Sequence, residues 1–398
     1  MKRLLIILSI IIISMGTALS YSLNWANYEY INPASDVTRG MAYSYQTDHI
    51  YLATRIDNQA RVVILDPESG EKIGMLDTTD TGFQGGTYRL NQVAISDDGT
   101  IYVCNLSVPS ANPDDEFKIY RYTDEDSEPE LIFAGAMDGI RYGDSFAALG
   151  SGENTYIYSS GYQSDKLAVF KSTARATTVE KIITIPDKSA ARQGLAPVKP
   201  EGNIWINGVG SAYPPVRLID YDGNTIAKVP DTIIAAGGSS TVQQWQVGPI
   251  NVVTATNAFE SNTLRSARYY EDELGTITFD YLGGSSDSLL LAYEGTSLKQ
   301  NLNGSCALAY DSTRHCLYTL MGVNSVASVN LDSLIQVATP RDTGFLAIQL
   351  DGKRQEYTHY EKLATEDSRR LYFTWSEDIV YTAISWNPLY APYQERGL

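Results

Sequence analysis

The fold is indicated most clearly by residues 92–104, which read Gln92-Val93-Ala94-Ile95-Ser96-Asp97-Asp98-Gly99-Thr100-Ile101-Tyr102-Val103-Cys104. Two short runs rich in β-branched and aromatic residues flank an Asp-Asp-Gly turn, and the apolar pattern has a period of two. An amphipathic helix would instead repeat its apolar residues every 3.6 positions. The segment therefore predicts two antiparallel strands joined by a tight turn.

The same pattern recurs along the chain at intervals of roughly fifty residues, which is close to the period of propeller blades. A third strand often follows each hairpin, and in the first unit the turn at residues 66–70 leads to a fourth. First strands are predicted near Met41, Val93, Phe146, Leu195, Trp245, Ala307 and Phe345. We therefore predict an all-β fold, a β-propeller of about seven four-stranded blades. Six or eight blades are alternatives, because residues 283–303 are irregular.

The first twenty residues predict the localisation of the protein and the start of its folded domain. Lys2 and Arg3 precede an apolar run over residues 4–15 and then small residues, which is the layout of a secretory signal peptide. An uncleaved N-terminal anchor is the alternative. We predict a signal peptide at 1–20, a single propeller domain at 21–398, and no transmembrane span in the mature chain. The protein is accordingly expected to be secreted, periplasmic or on the cell surface.

Closure of the ring is also expected from the sequence. Residues 27–31 have strand character and can complete the last blade from the N-terminal side. Such closure removes exposed sheet edges, which otherwise recruit other chains.

The net charge narrows the classes of molecule that the chain is expected to bind. The chain carries 30 Lys and Arg against 47 Asp and Glu, a net charge of -17. Such an acidic chain repels phosphate backbones, so nucleic acid is not expected as a partner.

Cys104, Cys306 and Cys316 do not form a disulfide framework. A pair between Cys306 and Cys316 is one reading, and buried free thiols are the one we favour.

A family resemblance is carried by motifs in the first half of the chain. These are Gly85-Gly86, Leu90-Asn91, Asp98-Gly99, Ile101-Tyr102-Val103, Asn105-Leu106, Tyr120-Arg121-Tyr122 and Arg141-Tyr142-Gly143-Asp144. Here the chain resembles secreted β-propellers of the broad NHL and quinoprotein-like kind, and in particular an uncharacterised group of bacterial extracellular propellers of unknown function. The resemblance implies a fold and transfers no catalytic residue.

Arginines recur just before the predicted innermost strands, although basic residues are scarce in this chain. Loops entering the innermost strand and loops between the second and third strands share one face of a propeller, which we call the top face. The candidate ligand-binding residues on this face are Arg39, Arg55, Arg89, Asn105, Arg141, Asp144, Arg192, Asn207, Asn257 and Arg341. Tyr162, Tyr213 and Asn324 belong to the same loops.

Guanidinium groups with amide and phenol partners suit a carboxylate or sulfate. We therefore predict an exported, non-catalytic binding propeller whose channel mouth takes an anionic small molecule, a glycan-like ligand or a protein partner. The other reading of these arginines is that each pairs with an acidic neighbour, such as Asp144 or Asp342, and joins adjacent blades.

Two further functional readings stay open. An extracellular carbohydrate-active or lactonase-type enzyme would use the same channel mouth, and a structural surface-layer component would need no pocket. His49 and His315 fall on the opposite, bottom face and His359 in a polar segment, so the histidines do not form a triad or a metal cage. No metal ligands or cofactor are assigned. The acidic loops at 112–116 and 124–128 offer oxygen ligands for calcium, or are simply solvated.

Overall fold

The architecture follows from the order of the 26 strands and one short α-helix in the described part of the chain. The computed structural model describes residues 21–78, 83–208, 215–236, 240–248, 250–258, 261–272, 274–285, 290–338, 346–350 and 353–357. Strand β1 spans Ser22–Asn27. Blade 1 contains β2 (Thr38–Ser44), β3 (His49–Thr54), β4 (Arg61–Leu65) and β5 (Lys72–Met75). Blade 2 contains β6 (Tyr88–Ile95), β7 (Ile101–Leu106), β8 (Phe117–Tyr122) and β9 (Glu130–Gly135).

The remaining blades repeat this arrangement. Blade 3 contains β10 (Ser145–Leu149), β11 (Thr155–Ser160), β12 (Lys166–Ser172) and β13 (Thr177–Thr184). Blade 4 contains β14 (Gly194–Pro197), β15 (Ile204–Asn207), β16 (Arg217–Ile219) and β17 (Thr225–Lys228). Blade 5 contains β18 (Val242–Val247), β19 (Ile250–Asn257), β20 (Thr263–Glu271) and β21 (Ile277–Gly284). Blade 6 contains β22 (Cys306–Asp311), β23 (Cys316–Met321) and β24 (Ser325–Asn330), followed by helix α1 (Asp332–Ala338) and strands β25 (Leu346–Leu350) and β26 (Lys353–Tyr357).

Each blade is a four-stranded antiparallel sheet, and the strands of blades 1 to 5 lie in sequence order. The predicted hairpin at 92–104 is present: Ile95 pairs with Ile101, and the Ser96 amide donates to the Thr100 carbonyl at 3.0 Å. Gly99 closes the turn at a φ of +86°, a left-handed conformation that glycine adopts without steric cost. The all-β propeller class with four-stranded blades is confirmed.

The blade number is six, which is one of the two alternatives that the sequence left open beside about seven. Six of the seven predicted first strands are the innermost strands β2, β6, β10, β14, β18 and β22. The seventh was expected to begin near Phe345, which lies outside the described residues. Within the described part of that region, β25 and β26 pair only with each other. A repeat count overestimates blades here because one isolated hairpin has the same local pattern as the start of a blade.

The ring is closed by the strand nearest the N-terminus. β1 pairs with β24 from Ser22 opposite Asn330 to Asn27 opposite Val326, so it is the fourth strand of blade 6. The sequence placed this strand at residues 27–31, five residues too late. Residues 28–31 instead form a turn, in which the Ile31 amide donates to the Tyr28 carbonyl at 3.0 Å.

The core lies between neighbouring blades. Trp205, Tyr158 and Phe170 are fully buried among β-branched and leucine side chains from adjacent sheets. Burial of each large apolar side chain contributes about 1.5–3 kcal/mol, which makes the interblade faces the main source of stability. All three cysteines are buried and unbonded, so the prediction of free thiols is confirmed. Among the described helices, none has the length and apolar character needed to span a membrane.

Candidate ligand-binding face

The first arginine cluster on the top face joins blades 1 and 2. We call Asp36, Arg39, Arg55 and Tyr88 the Tyr88 cluster. The guanidinium carbons of Arg55 and Arg39 lie 4.0 and 4.9 Å from the centre of the Tyr88 ring. Arg39 forms an ion pair with Asp36 at 3.0 Å, and the two side chains are only 6% and 7% exposed.

The Arg55 guanidinium is bound by two backbone carbonyl groups. Its Nη1 donates to the Leu90 carbonyl at 2.7 Å and its Nη2 to the Asp36 carbonyl at 3.2 Å. Burial, together with the positive charge of Arg39, lowers the pKa of Arg55 to about 10, so the side chain stays charged at neutral pH. The Tyr88 cluster therefore fastens two blades together and offers little free positive charge.

The second cluster lies at the entrance to blades 3 and 4. We call Arg141, Asp144, Tyr162 and Arg192 the Tyr162 cluster. Arg192 and Arg141 approach the Tyr162 ring centre at 4.5 and 5.6 Å. Nε and Nη2 of Arg141 donate to the two carboxylate oxygens of Asp144 at 2.6 and 2.7 Å. The Tyr162 amide also donates to Asp144 at 2.7 Å, so the carboxylate fixes both the arginine and the loop.

The Tyr162 cluster is open to solvent, whereas the Tyr88 cluster is closed. The Arg141 side chain is 24% exposed, although Asp144 is buried, and both Tyr162 and Arg192 are half-buried. Arg141 makes no bond through Nη1 to any residue that the structure describes. This edge of the guanidinium, and the rim of the Tyr162 ring, are therefore available to a ligand.

A chain of amides connects the two clusters. Arg55 Nη1 reaches Asn91 Oδ1 at 3.3 Å, and Asn91 Nδ2 donates to the Gly143 carbonyl at 2.6 Å. Gln92 Nε2 donates to the Asp144 carbonyl at 2.9 Å. The predicted arginines are thus gathered in two pairs linked across blades 1 to 3, rather than in one even ring.

Three of the predicted amide residues are occupied within the fold. Asn105 Nδ2 donates to the Glu116 carbonyl at 2.8 Å, and its Oδ1 accepts from the Lys118 amide at 2.9 Å. Asn207 Nδ2 donates to the Thr241 carbonyl of the next blade at 3.1 Å. Asn324 is fully buried and bonds both backbone groups of Lys299. These side chains shape the top-face loops.

Asn257 lies apart from the arginine clusters, in a cavity of about 210 Å³ on the top of blade 5. Arg265 and Asp231 line the same cavity, and Arg265 donates to the Tyr281 hydroxyl at 2.9 Å. Arg89 is exposed beside Tyr88. Arg341, Asp342, Tyr213 and His359 lie outside the described residues.

The segment 290–305 crosses the channel mouth, since Gln193 of blade 4 donates to the Asn303 carbonyl at 3.5 Å. It also covers the Tyr88 cluster, where Ser305 donates to Asp36 at 2.7 Å. Three buried oxygens at this mouth have no hydrogen-bond partner: Asp36 Oδ1, Gln193 Oε1 and Asn301 Oδ1. Buried acceptors of this kind are normally satisfied by water or by a ligand.

The bottom face carries the histidines and one of the acidic loops. His49 Nδ1 lies 2.6 Å from Glu125 Oε1, which also accepts from Tyr51 at 2.6 Å, and His315 lies 3.4 Å from Asp332. In the other acidic loop, on the top face, buried Asp115 accepts from the Val108 amide at 2.8 Å. The described residues include no group of three His, Cys, Asp or Glu able to hold a metal. Calcium binding by these loops stays a prediction.

Several site residues were not predicted from the sequence. Asp36, Tyr88 and Gln193 all immediately precede or begin an innermost strand, one to three residues from a predicted arginine. This position beside a predicted arginine is the sequence signal that could have identified these three residues. Asn301 gave none, because the sequence does not show which way its irregular loop folds. Arg265 gave none either, because it lies within strand β20 and not in a predicted top-face loop.

The fold and this top face define a six-bladed propeller whose channel mouth is built from loops. Residues 14–271 match the family model described as "Domain of unknown function (DUF4623)", and the chain belongs to this family. No curated protein matches the sequence.

Three solved structures are similar to this chain to different degrees. A DUF4623 family protein from Bacteroides eggerthii superposes with a TM-score of 0.54 at 18% identity, covering 78% of this chain and 77% of that one. A gluconolactonase from Xanthomonas campestris gives 0.40 at 15% identity, with 61% and 72% covered. A functionally unknown protein from Desulfotomaculum acetoxidans gives 0.40 at 11% identity, with 74% and 86% covered. The last two likenesses are too distant to inform function.

Proposed function

We propose that the chain is an exported binding protein whose top-face channel mouth takes an anionic, hydroxyl-bearing ligand, such as an acidic glycan. The observation that carries the proposal is the Tyr162 cluster. Two guanidinium groups share one half-buried ring at the surface of a chain with a net charge of -17. A carboxylate or sulfate is the group that the free edge of Arg141 would bind best.

Glycan chemistry is supported by the unpartnered oxygens at the same mouth. Gln193 Oε1 and Asn301 Oδ1 accept hydrogen bonds, and sugar hydroxyls donate them. An aromatic ring beside such acceptors also suits the apolar face of a pyranose. The signal-peptide layout of residues 1–20 supports export.

The enzymatic alternative stays a prediction without a favouring observation. A glycosidase needs two free carboxyl groups that flank one bond. At the described part of the mouth, Asp36 and Asp144 are each bound to an arginine.

The test is titration of the mature protein with an oligogalacturonate and a sulfated oligosaccharide by calorimetry, with a neutral oligosaccharide beside them. Arg192→Gln and Arg141→Gln are each expected to weaken acidic-ligand binding at least about tenfold, the effect of losing one charged hydrogen bond. Arg175→Gln, an exposed residue in a bottom-face turn, is the matched control. Unchanged affinity in both top-face variants would exclude this mouth as the site.

A further inference from the structure

A second opening lies at the other end of the channel. The bottom ends of β2, β6 and β22, together with Gln243 of β18, enclose a cavity of about 200 Å³. That is the liquid volume of about six or seven water molecules, comparable with one monosaccharide ring. None of the candidate top-face residues lines it. The side chains that decide its chemistry are Tyr43, Tyr45, Gln46, Asp97, Gln243 and Tyr310.

The walls of this cavity are fixed by the turns around it. Gln46 Nε2 donates to the Asp97 carbonyl at 2.9 Å, which joins blades 1 and 2 at the rim. Gly99 lies against Gln46, and a Cβ there would stand 3.0 Å from the Gln46 Cβ. Tyr310 is stacked on Trp245 with ring centres 5.0 Å apart. The cavity is thus preformed, which lowers the entropic cost of binding.

The polar atoms left over are mainly acceptors and hydroxyls. Within the described residues, Oε1 of Gln46 and of Gln243 make no hydrogen bond, and neither do the hydroxyls of Tyr45 and Tyr310. Tyr45 is 69% exposed at the rim, so one face of an aromatic ring is available for stacking. Rings beside amide oxygens are the combination that binds a sugar through its CH face and its hydroxyls.

The charge at this end excludes the ligand proposed for the top face. Asp97 is the one charged residue among the ten described residues that line the cavity, so none of the ten supplies a positive charge to an anionic ligand. An anionic ligand would be repelled. We propose that this bottom-face cavity binds a single neutral sugar unit, independently of the top-face mouth.

The experiment is saturation-transfer NMR on the mature protein with methyl glycosides of glucose, galactose, mannose and N-acetylglucosamine, and with galacturonate as the charged comparison. Transfer to at least one neutral glycoside is expected at millimolar concentration. Tyr45→Ala removes the stacking ring, and Ala309→Met fills the cavity from β22, so each should weaken that binding at least about tenfold.

Two controls separate this site from the top face. Leu274→Ala changes an exposed apolar residue in a bottom-face turn, and Arg192→Gln changes the top face, so both should bind neutral glycosides as the parent does. Circular dichroism confirms that each variant is folded. The proposal is overturned if no neutral glycoside shows transfer to the folded protein. It is equally overturned if binding survives Tyr45→Ala and Ala309→Met, or is lost only in Arg192→Gln.

Discussion

The Tyr88 and Tyr162 clusters contain the same four groups: two arginines, one tyrosine and one aspartate. In the first, the ion pair is almost fully buried, and Ser305 donates to the same Asp36 oxygen that pairs with Arg39. Two backbone carbonyls accept hydrogen bonds from Arg55. In the second, only the aspartate is buried. The difference comes from the segment 290–305, which contacts the first cluster at Asp36. Equal composition thus gives a fastening between blades in one place and an open surface in the other.

The largest expected effect is on the closed cluster. Asp36→Ala leaves Arg39 buried without its carboxylate, which typically costs about 3–5 kcal/mol of unfolding free energy. Urea unfolding followed by circular dichroism measures the change, and Asp114→Ala, at an exposed carboxylate, is the control. A loss below about 1 kcal/mol would mean that the cluster does not fasten the blades.

A smaller loss is expected in the open cluster. Arg141→Gln removes two charged hydrogen bonds from buried Asp144, but the Tyr162 amide still donates to that carboxylate. We expect a cost of about 1.5–3 kcal/mol in the same unfolding experiment. The contrast between the clusters breaks if this variant proves as unstable as Asp36→Ala.

On the bottom face, replacement of Arg314 is expected to have the smallest effect on stability. Arg314 bonds both oxygens of Asp48 at 2.7 Å and Asp311 at 2.9 Å, across the junction of blades 6 and 1. Hydrogen bonding to Arg314 lowers the pKa of Asp48. At Asp311, burial raises the pKa, but hydrogen bonds from Arg314 and Tyr318 outweigh burial, so the pKa of Asp311 is lowered as well.

Carboxylates with lowered pKa values stabilise the fold above their unfolded pKa, near 4, and lose that contribution as the pH falls through the folded value. Arg314→Gln should therefore cost about 1 kcal/mol or less near neutral pH, because Asp48 is half exposed. Asp311 is buried, but it keeps hydrogen bonds from the Tyr318 hydroxyl and from the backbone amides of residues 313 and 314. The substitution should also flatten the fall in stability as the pH drops below about 4. Melting temperatures across this range provide the measurement, and an acid profile identical to that of the parent would contradict the assignment.

The strands were more predictable than the site. The alternation around Asp97-Asp98-Gly99 and its repeats located six innermost strands, because a period of two and a tight turn are local properties. The sequence left the choice between six and seven blades open at residues 346–350 and 353–357, where a local pattern does not show whether two more strands join. Likewise, the sequence located Arg39 and Arg141 but not their different roles. Those depend on Ser305, which is distant in sequence and meets Asp36 only in the closed ring.

The pairing of Ser22 with Asn330 gives the ring a single seam that unites the two ends of the propeller. Such a long loop closes late, because entropy delays contacts between distant segments. Blade 6 therefore cannot gain its outer strand until the whole circle has been synthesised. From then until its own β1 pairs with it, β24 presents an open edge on which a second chain's β1 can dock. A chain that has completed β24 while its β1 is held away from the ring is thus the form most exposed to strand exchange between molecules.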